Sequence, residues 1–492
     1  MFTRDGVELA STVYLPSGGG RHPVLLARTP YDRRQVPGPA LRLDLDRLVE
    51  AGYAVVVQDV RGTGESGGEF RFFTGEAEDG YDAVRWAATQ PWSDGNVGMF
   101  GDSYLGYTQL LAARERPEGL RAIAPSVTPA GLYETVYSGG VPNLNVVLTV
   151  CAIVFGGLPP TELGAMMERL PPGDQPLLDD LVPFYRAWME TTDPAAELWR
   201  EPVIDHSRIE VPALVSTGWH DYFRDASIGH YERLRGDSRL IVGPWTHFTQ
   251  DRAIFDRDYG DRASQAAIDW TGIHLDWFDH WLRGEPLRDD ARVRIFVMGT
   301  DEWRTERDWP LLDARRVPYH LGEDGSLGAA PAAGSREFTS DPYDPVPTLG
   351  GAVMMFDAFG PLDQRPLDGR HDVLRYVGEP LERPLEVTGE VELVATVSST
   401  GPSDLTAKLV DVYPDGRAEL ITDAVARFDR DGEVRVRLGA ISNVFRAGHR
   451  IRLDVAATNF PKYARHPAVE KATVTVHAPS YLVLPVVERA SA

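Results

Sequence analysis

A chain of 492 residues exceeds what one hydrophobic core serves, which predicts two or three domains and enough buried volume for a large cleft. A formal net charge of −23 excludes a protein that tracks phosphate backbones, because such binding depends on clustered Lys and Arg. A single cysteine, Cys151, excludes an intrachain disulfide framework and a thiolate-held zinc; it fits a reducing compartment and a role as a small core residue.

The N-terminus, MFTRDGVELASTVYLP, lacks the basic stretch and apolar run of a secretory signal and alternates like a strand. The apolar run Val146 to Phe155 is too short to span a bilayer. Both predict a soluble cytoplasmic protein with neither a membrane nor a nucleic-acid partner. Nothing in the residues fixes an oligomeric state, and a homo-oligomer stays open.

Short β-branched runs then alternate with amphipathic stretches. HPVLLART and YAVVVQDV read as buried strands, EAEDGYDAVRWAATQ as a helix, VGMFG as a strand and YLGYTQLLAARER as a helix; this alternation predicts an α/β domain with a parallel sheet. From Gly131 to Ser207, Pro-rich turns separate helical patterns (ELGAMMERL, LLDDLVPFYRAWMETT), which predicts a helical cap inserted at the loop end of the sheet. The sheet resumes with VPALVSTG and SRLIVGPW, followed by a long helix SQAAIDWTGIHLDWFDHWLRG. From Trp309 onward, alternating strands and PDG or DG turns predict an all-β sandwich of the jelly-roll kind. The predicted domains are therefore residues 1–130 with 208–308, the cap 131–207, and the β domain 309–492.

Two motifs are set aside. Gly62 to Gly67, GTGESG, matches a dinucleotide fingerprint, but no helix opens after it to face a pyrophosphate, so no nucleotide cofactor is expected. His274, Asp276, Asp279 and His280 share a helix without an H-E-x-x-H arrangement, and no metal is assigned.

GDSYLG, Gly101 to Gly106, is different. An apolar strand runs into the turn and a helix leaves it, which lifts Ser103 above the sheet edge, although the second glycine comes one place later than in G-x-S-x-G. A serine needs a base and an orienting acid. Asp221 follows one later strand and His247 the next, and the order Ser, Asp, His is that of α/β-hydrolases. His220, Asp225, His206 and Asp205 compete less well and are expected on the surface or in loops. The Tyr104 amide supplies one oxyanion donor and Tyr31, after an early strand, a candidate for the second. Trp219, Phe223 and Trp245, near the triad, suggest an apolar or aromatic acyl group.

The segments RTPYDRR, QDVRGTGESGGEF, WSDGNVGMFGDSYLGYTQ, GWHDYF, GPWTH, VRIFVMGTDEWR, AKLVDVYPDGRA and TNFPKY, in this order over nearly the whole chain, closely resemble the bacterial cocaine esterase family, relatives of X-prolyl dipeptidyl peptidases, α-amino acid ester hydrolases and glutaryl-cephalosporin acylases. The resemblance implies an α/β-hydrolase domain with a helical cap and a C-terminal jelly roll. It implies Ser103 as nucleophile, Asp221 and His247 as its partners, the Tyr31 hydroxyl and Tyr104 amide as oxyanion hole, and Phe223, Tyr137, Met355 and Phe356 lining the acyl pocket. The cap is shorter than in cocaine-hydrolysing members, so its pocket walls do not carry over, and Asp102 is given no role beyond a solvated or locally bonded side chain. The resulting expectation is a serine hydrolase that forms an acyl-enzyme from a small-molecule ester or amide. An X-Pro dipeptidyl peptidase, a β-lactam acylase and a non-catalytic binding module are the alternatives.

Overall fold

The computed structural model describes residues 1–35, 42–200, 203–354, 358–468 and 470–488. Nine strands form its largest sheet: β1 (Ser11–Tyr14), β2 (His22–Thr29), β3 (Ala54–Asp59), β4 (Ser93–Asp102), β5 (Leu120–Ser126), β6 (Leu214–His220), β7 (Arg239–Thr246), β8 (Val293–Val297) and β9 (Glu302–Glu306). Their order is β1-β3-β2-β4-β5-β6-β7-β8-β9, parallel from β3 through β8, with the edge strands β1 and β9 antiparallel.

The middles of the central strands are apolar because both faces of the sheet are covered. Successive side chains of β2 point to opposite faces: Val24 and Leu26 join Val84 and Leu110 of the helices Glu76–Ala88 and Tyr104–Arg114, while Leu25 and Ala27 join Leu48, Trp277 and Phe278 on the other side. In such a sheet the loops at the carboxyl ends of the strands make the crevice where ligands bind. Ser103, Asp221 and His247 all stand there, one residue past β4, β6 and β7.

The C-terminal region is two antiparallel sheets packed face to face. A six-stranded sheet contains Leu385–Ser399, Gly432–Phe445 and Ala472–Val487, and a four-stranded sheet contains Ser403–Val412, Ala418–Phe428 and Arg450–Ala456. Leu393, Val436 and Leu482 of the first meet Leu405, Leu409 and Leu453 of the second in the core.

The cap consists of short pieces rather than the two helices its pattern suggests. ELGAMMERL is helical only over Leu163–Met167, and the second helix, Phe184–Glu190, begins just after Pro183, whose ring and missing N–H bar helix on its amino side. The apolar run is an α-turn, Leu144–Thr149, continued as a π-helix, Val150–Phe155. The long helix expected after β7 is α-helical only over Trp270–Phe278, because Asp269 caps the Gly272 amide at its start and a π-turn, Asp279–Arg283, ends it at Gly284. Strand β5, LRAIAPS, was absent from the sequence reading; Pro125 within it disguised a central strand.

Candidate active site

Ser103 has φ 58° and ψ −120°, a left-handed conformation that costs a non-glycine residue on the order of 1–3 kcal/mol and persists only when its surroundings enforce it. Those surroundings are visible. The Ser103 amide donates to Ser126 O at 2.8 Å, and the amides of Gly106 and Tyr107 donate to Ser103 O at 2.9 and 3.1 Å. The Gln109 amide reaches back to Gly101 O at 3.0 Å while its oxygen accepts from the Ala124 amide at 2.9 Å, stitching the turn to β5. The late glycine has a local cause, since a Cβ at Gly106 would stand 2.0 Å from Thr128 Oγ1.

Beside this turn, Tyr31 places its hydroxyl close enough to the Ser103 side chain and the Tyr104 amide for both to act on its proton affinity. Burial outweighs them and pushes the hydroxyl up to about 12, so it stays a donor across the neutral range. The Tyr104 ring is fixed from behind: its hydroxyl donates to Glu76 Oε1 at 2.9 Å and accepts from the Phe73 amide at 3.0 Å. Glu76 is in turn held by buried Arg28 at 2.7 Å. Burial raises the Glu76 carboxyl, and Arg28 and Tyr104 oppose it.

Across the crevice, Asp221 Oδ2 lies 2.8 Å from His247 Nδ1, and its Oδ1 accepts from the Phe223 amide at 2.6 Å. This commits the imidazole proton to Nδ1 and leaves Nε2 its lone pair. The His247 ring packs on Tyr222 at 4.4 Å and meets Phe223 edge-on at 5.7 Å. The acid's loop is fastened from below by Arg224, which donates to Trp219 O, to Thr422 Oγ1 and to Leu438 O, the last two in the β-sandwich.

Ser103, Tyr31, Tyr104 and Phe223 line one cavity of about 40 Å³, walled by Phe72, Phe73, Val146, Val147, Val150 and Trp188. It adjoins, through Thr135, Val146, Tyr222 and Phe223, a cleft of about 710 Å³ shared by the cap, the strand-end loops and the sandwich. These cavity walls were missed in the sequence. Their signals were GEFRFFTG, read only as the reason a nucleotide motif fails, and the apolar run Val146 to Phe155, read only as too short for a membrane.

Several expected positions need correction. Trp219 does not line the cavity at Ser103; it is buried with Nε1 donating to Phe296 O at 2.6 Å and its ring against Trp309. Trp245 is likewise in the core, bonded to Ala263 O. Tyr137 borders the large cleft instead of the small cavity, its hydroxyl spent on Trp188 O and Met189 O. His220, expected at the surface or in a loop, ends β6 in the core and pairs with Tyr259. Asp102 takes the locally bonded of its two expected forms: it is 7% exposed and its carboxylate lies 2.6 Å from Arg42 Nε. Met355 and Phe356 lie outside the described residues.

The family model of the X-Pro dipeptidyl-peptidase (S15 family) matches residues 5–249, and that of the X-Pro dipeptidyl-peptidase C-terminal non-catalytic domain matches residues 287–483. The chain is 37% identical to the cocaine esterase of Rhodococcus sp. (strain MB1 Bresler), over 99% of this chain and 97% of that protein. Among solved structures it is similar to an α-amino acid ester hydrolase, with a TM-score of 0.81, 25% identity and coverage of 98% and 95% of the two chains. An aminopeptidase from a Thaumarchaeota archaeon shares the fold at a TM-score of 0.86 and 23% identity, over 99% and 95% of the two chains. Among the described residues, no helix is long and apolar enough to cross a membrane.

Proposed function

The chain belongs to the family of serine hydrolases that unites cocaine esterase with the S15 X-Pro dipeptidyl peptidases, and from that premise we propose that it hydrolyses carboxylic esters through an acyl-enzyme on Ser103. The observation that carries this reading is the strained Ser103 backbone, enforced by its neighbours at the mouth of a cavity that also holds Tyr31 and Tyr104.

In the first half-reaction Ser103 Oγ attacks the ester carbonyl while His247 Nε2 takes its proton, and Asp221 stabilises the imidazolium through Nδ1. The tetrahedral oxyanion is held by the Tyr31 hydroxyl and the Tyr104 amide. His247 returns the proton to the departing alcohol. Water, deprotonated by His247, then attacks the acyl carbonyl, the acyl–Oγ bond breaks, the acid leaves, and His247 returns its proton to Ser103 Oγ. Every proton in the cycle passes through His247, so the steps call on no cofactor.

The cavity volume of about 40 Å³ is on the order of three water-sized spheres and its walls are apolar, which suits a short acyl group of roughly two to four carbons. The alcohol portion leaves toward the larger cleft. We assign catalysis to residues 1–130 and 208–308, the pocket wall to the cap 131–207, and a jelly-roll topology to the sandwich 309–492, in a protein that works in the cytoplasm on a small molecule.

The match to X-Pro dipeptidyl peptidases favours a second reading, which needs a carboxylate to read a substrate ammonium. In the large cleft, Asp225 is paired with Arg224 and Asp423 with Lys462, which leaves Glu134 for that task. A fluorophosphonate probe is expected to label wild type at Ser103 and not Ser103→Ala, and aryl esters are expected to turn over faster than X-Pro anilides. Labelling that persists in Ser103→Ala removes the nucleophile assignment, and a preference for X-Pro compounds replaces the ester reading.

A further inference from the structure

The residue that precedes the nucleophile is a buried carboxylate that the reaction above does not use. Asp102 closes β4, and among the described residues it pairs with Arg42, whose Nε meets Oδ2 at 2.6 Å as an ion pair without hydrogen-bond alignment. Both side chains are 9% exposed. The other end of the same guanidinium, Nη2, donates to the backbone carbonyl of His247. Arg42 itself has φ 51°, a left-handed backbone outside any helix or strand, so its reach into the crevice is held against a conformational cost.

We infer that Arg42 and Asp102 are positioning residues that clamp the loop carrying the base to the turn carrying the nucleophile. The inference rests on the roles given above to Ser103 and His247. Asp221 holds the His247 ring, and a ring held at one nitrogen still swings with its backbone; Arg42 holds that backbone and is itself anchored one residue from Ser103. The two reacting side chains thereby share one rigid connection although they lie far apart in the sequence. Proton transfer between them depends on such preorganisation, and small displacements cost large factors in rate.

The pair also sets the local charge. The groups facing His247 are Asp221, Asp102, Arg42 and the Tyr222 ring, with Tyr31 beyond Tyr222. Asp102 cancels Arg42, so Asp221 is the uncompensated charge that the imidazole meets. Burial raises the Asp102 carboxyl, and Arg42 opposes that rise. Neither Arg42 nor Asp102 lines the cavity or the cleft, so substrate affinity is not their office.

The test compares pH profiles of kcat/KM, with kcat and KM, for four proteins on one aryl ester. Asp102→Asn leaves the guanidinium uncancelled beside His247, and the acidic limb moves to lower pH by on the order of half a unit. Arg42→Lys keeps the charge but cannot span both partners, so the limb stays in place while kcat falls about tenfold and KM holds. The double variant Arg42→Met, Asp102→Asn returns the limb to its original position with kcat still low. A limb and kcat within twofold of wild type in both Asp102→Asn and Arg42→Lys overturns the clamp. Wild-type unfolding temperatures in Asp102→Asn and Arg42→Lys separate a lowered kcat from misfolding. Ser103→Ala runs alongside: if it retains turnover, the catalytic assignment itself has failed, and if it is inactive while the limb and kcat of the variants do not move, the clamp alone has failed.

Discussion

Gly106 lies against Thr128 so closely that a Cβ on it would come within 2.0 Å of Thr128 Oγ1 and 3.2 Å of Ser126 O. The second glycine of GDSYLG is thus fixed by the approach of the helix Tyr104–Arg114 to the end of β5. Leu105, where G-x-S-x-G spellings have glycine, is fully buried on the opposite side, against Gly101. Gly106→Ala is expected to push the helix off β5, lowering stability by about 1–3 kcal/mol and slowing fluorophosphonate labelling of Ser103 by more than the stability loss accounts for. Chemical denaturation and labelling kinetics together check this, and a variant that labels at the wild-type rate contradicts it.

Tyr31→Phe removes the hydroxyl proposed as one oxyanion donor and leaves the ring's packing against Tyr104 in place. The expected loss is roughly 10²–10³ in kcat with KM little changed and the fold intact. Steady-state kinetics decide it; a loss confined to KM would move Tyr31 from the transition state to ground-state binding.

Asp221→Asn keeps the volume of the acid but no longer stabilises the imidazolium on Nδ1. A fall in kcat of roughly 10³–10⁴ is expected, with Ser103 still present and KM within a few-fold. A loss of less than tenfold would mean that another carboxylate orients His247.

Phe72 stands between the cavity and the cap, ringed by Phe155, Trp188 and Tyr104. Phe72→Ala is expected to shift preference from acetyl and butyryl toward hexanoyl or benzoyl esters, measured as ratios of kcat/KM across an acyl series. An unchanged ratio would place the acyl group elsewhere, in the larger cleft.

Stability is expected to fall below neutral pH because several histidines are buried neutral. Burial holds His220 and His230 down to about 3 and His274 to about 4. Their folded values lie below the unfolded one near 6.5, so between about pH 4 and 6.5 the unfolded chain binds more protons, and stability is complete above 6.5 and lost as pH falls. Each contributes up to about 1.4 kcal/mol per pH unit in that window. Asp411, raised to about 6 mainly by burial, works in the opposite direction. Urea unfolding at pH 7 and pH 5 measures the slope, and His230→Gln, which keeps a polar group facing Pro129 O, is expected to flatten it. A stability that rises on acidification contradicts this account.

The proposed triad positions were legible because each depends on a local pattern: an apolar strand ending, then one polar residue at the loop end of the sheet. Tyr31 was legible for the same reason, following β2 by two residues. Arg42 carried no such signal. It lies in a loop that no strand announces, and its partners, Asp102 and His247, are brought to it only by the closed sheet. The cavity walls were illegible because they come from a stretch with no secondary-structure signature, Phe72 and Phe73, and from helical pieces of the cap, Val146, Val147, Val150 and Trp188, whose apolar residues read simply as core. Strand-end aromatics misled in the other direction: Trp219 and Trp245 precede Asp221 and His247 by two residues each, but both rings are buried in the core.

Arg224 has a consequence for how such enzymes diversify. Three residues past the proposed acid, Asp221, it spends its guanidinium on Leu438 and Thr422, so the acid's loop is moored to a sandwich that supplies no proposed chemistry. The catalytic half cannot then be exchanged as a free-standing cassette: a lineage that lost the sandwich would lose the aim of its own acid along with part of its cleft. Changes confined to the cap, by contrast, leave the Arg224 bonds to Trp219, Thr422 and Leu438 in place while they reshape the walls of the cavity.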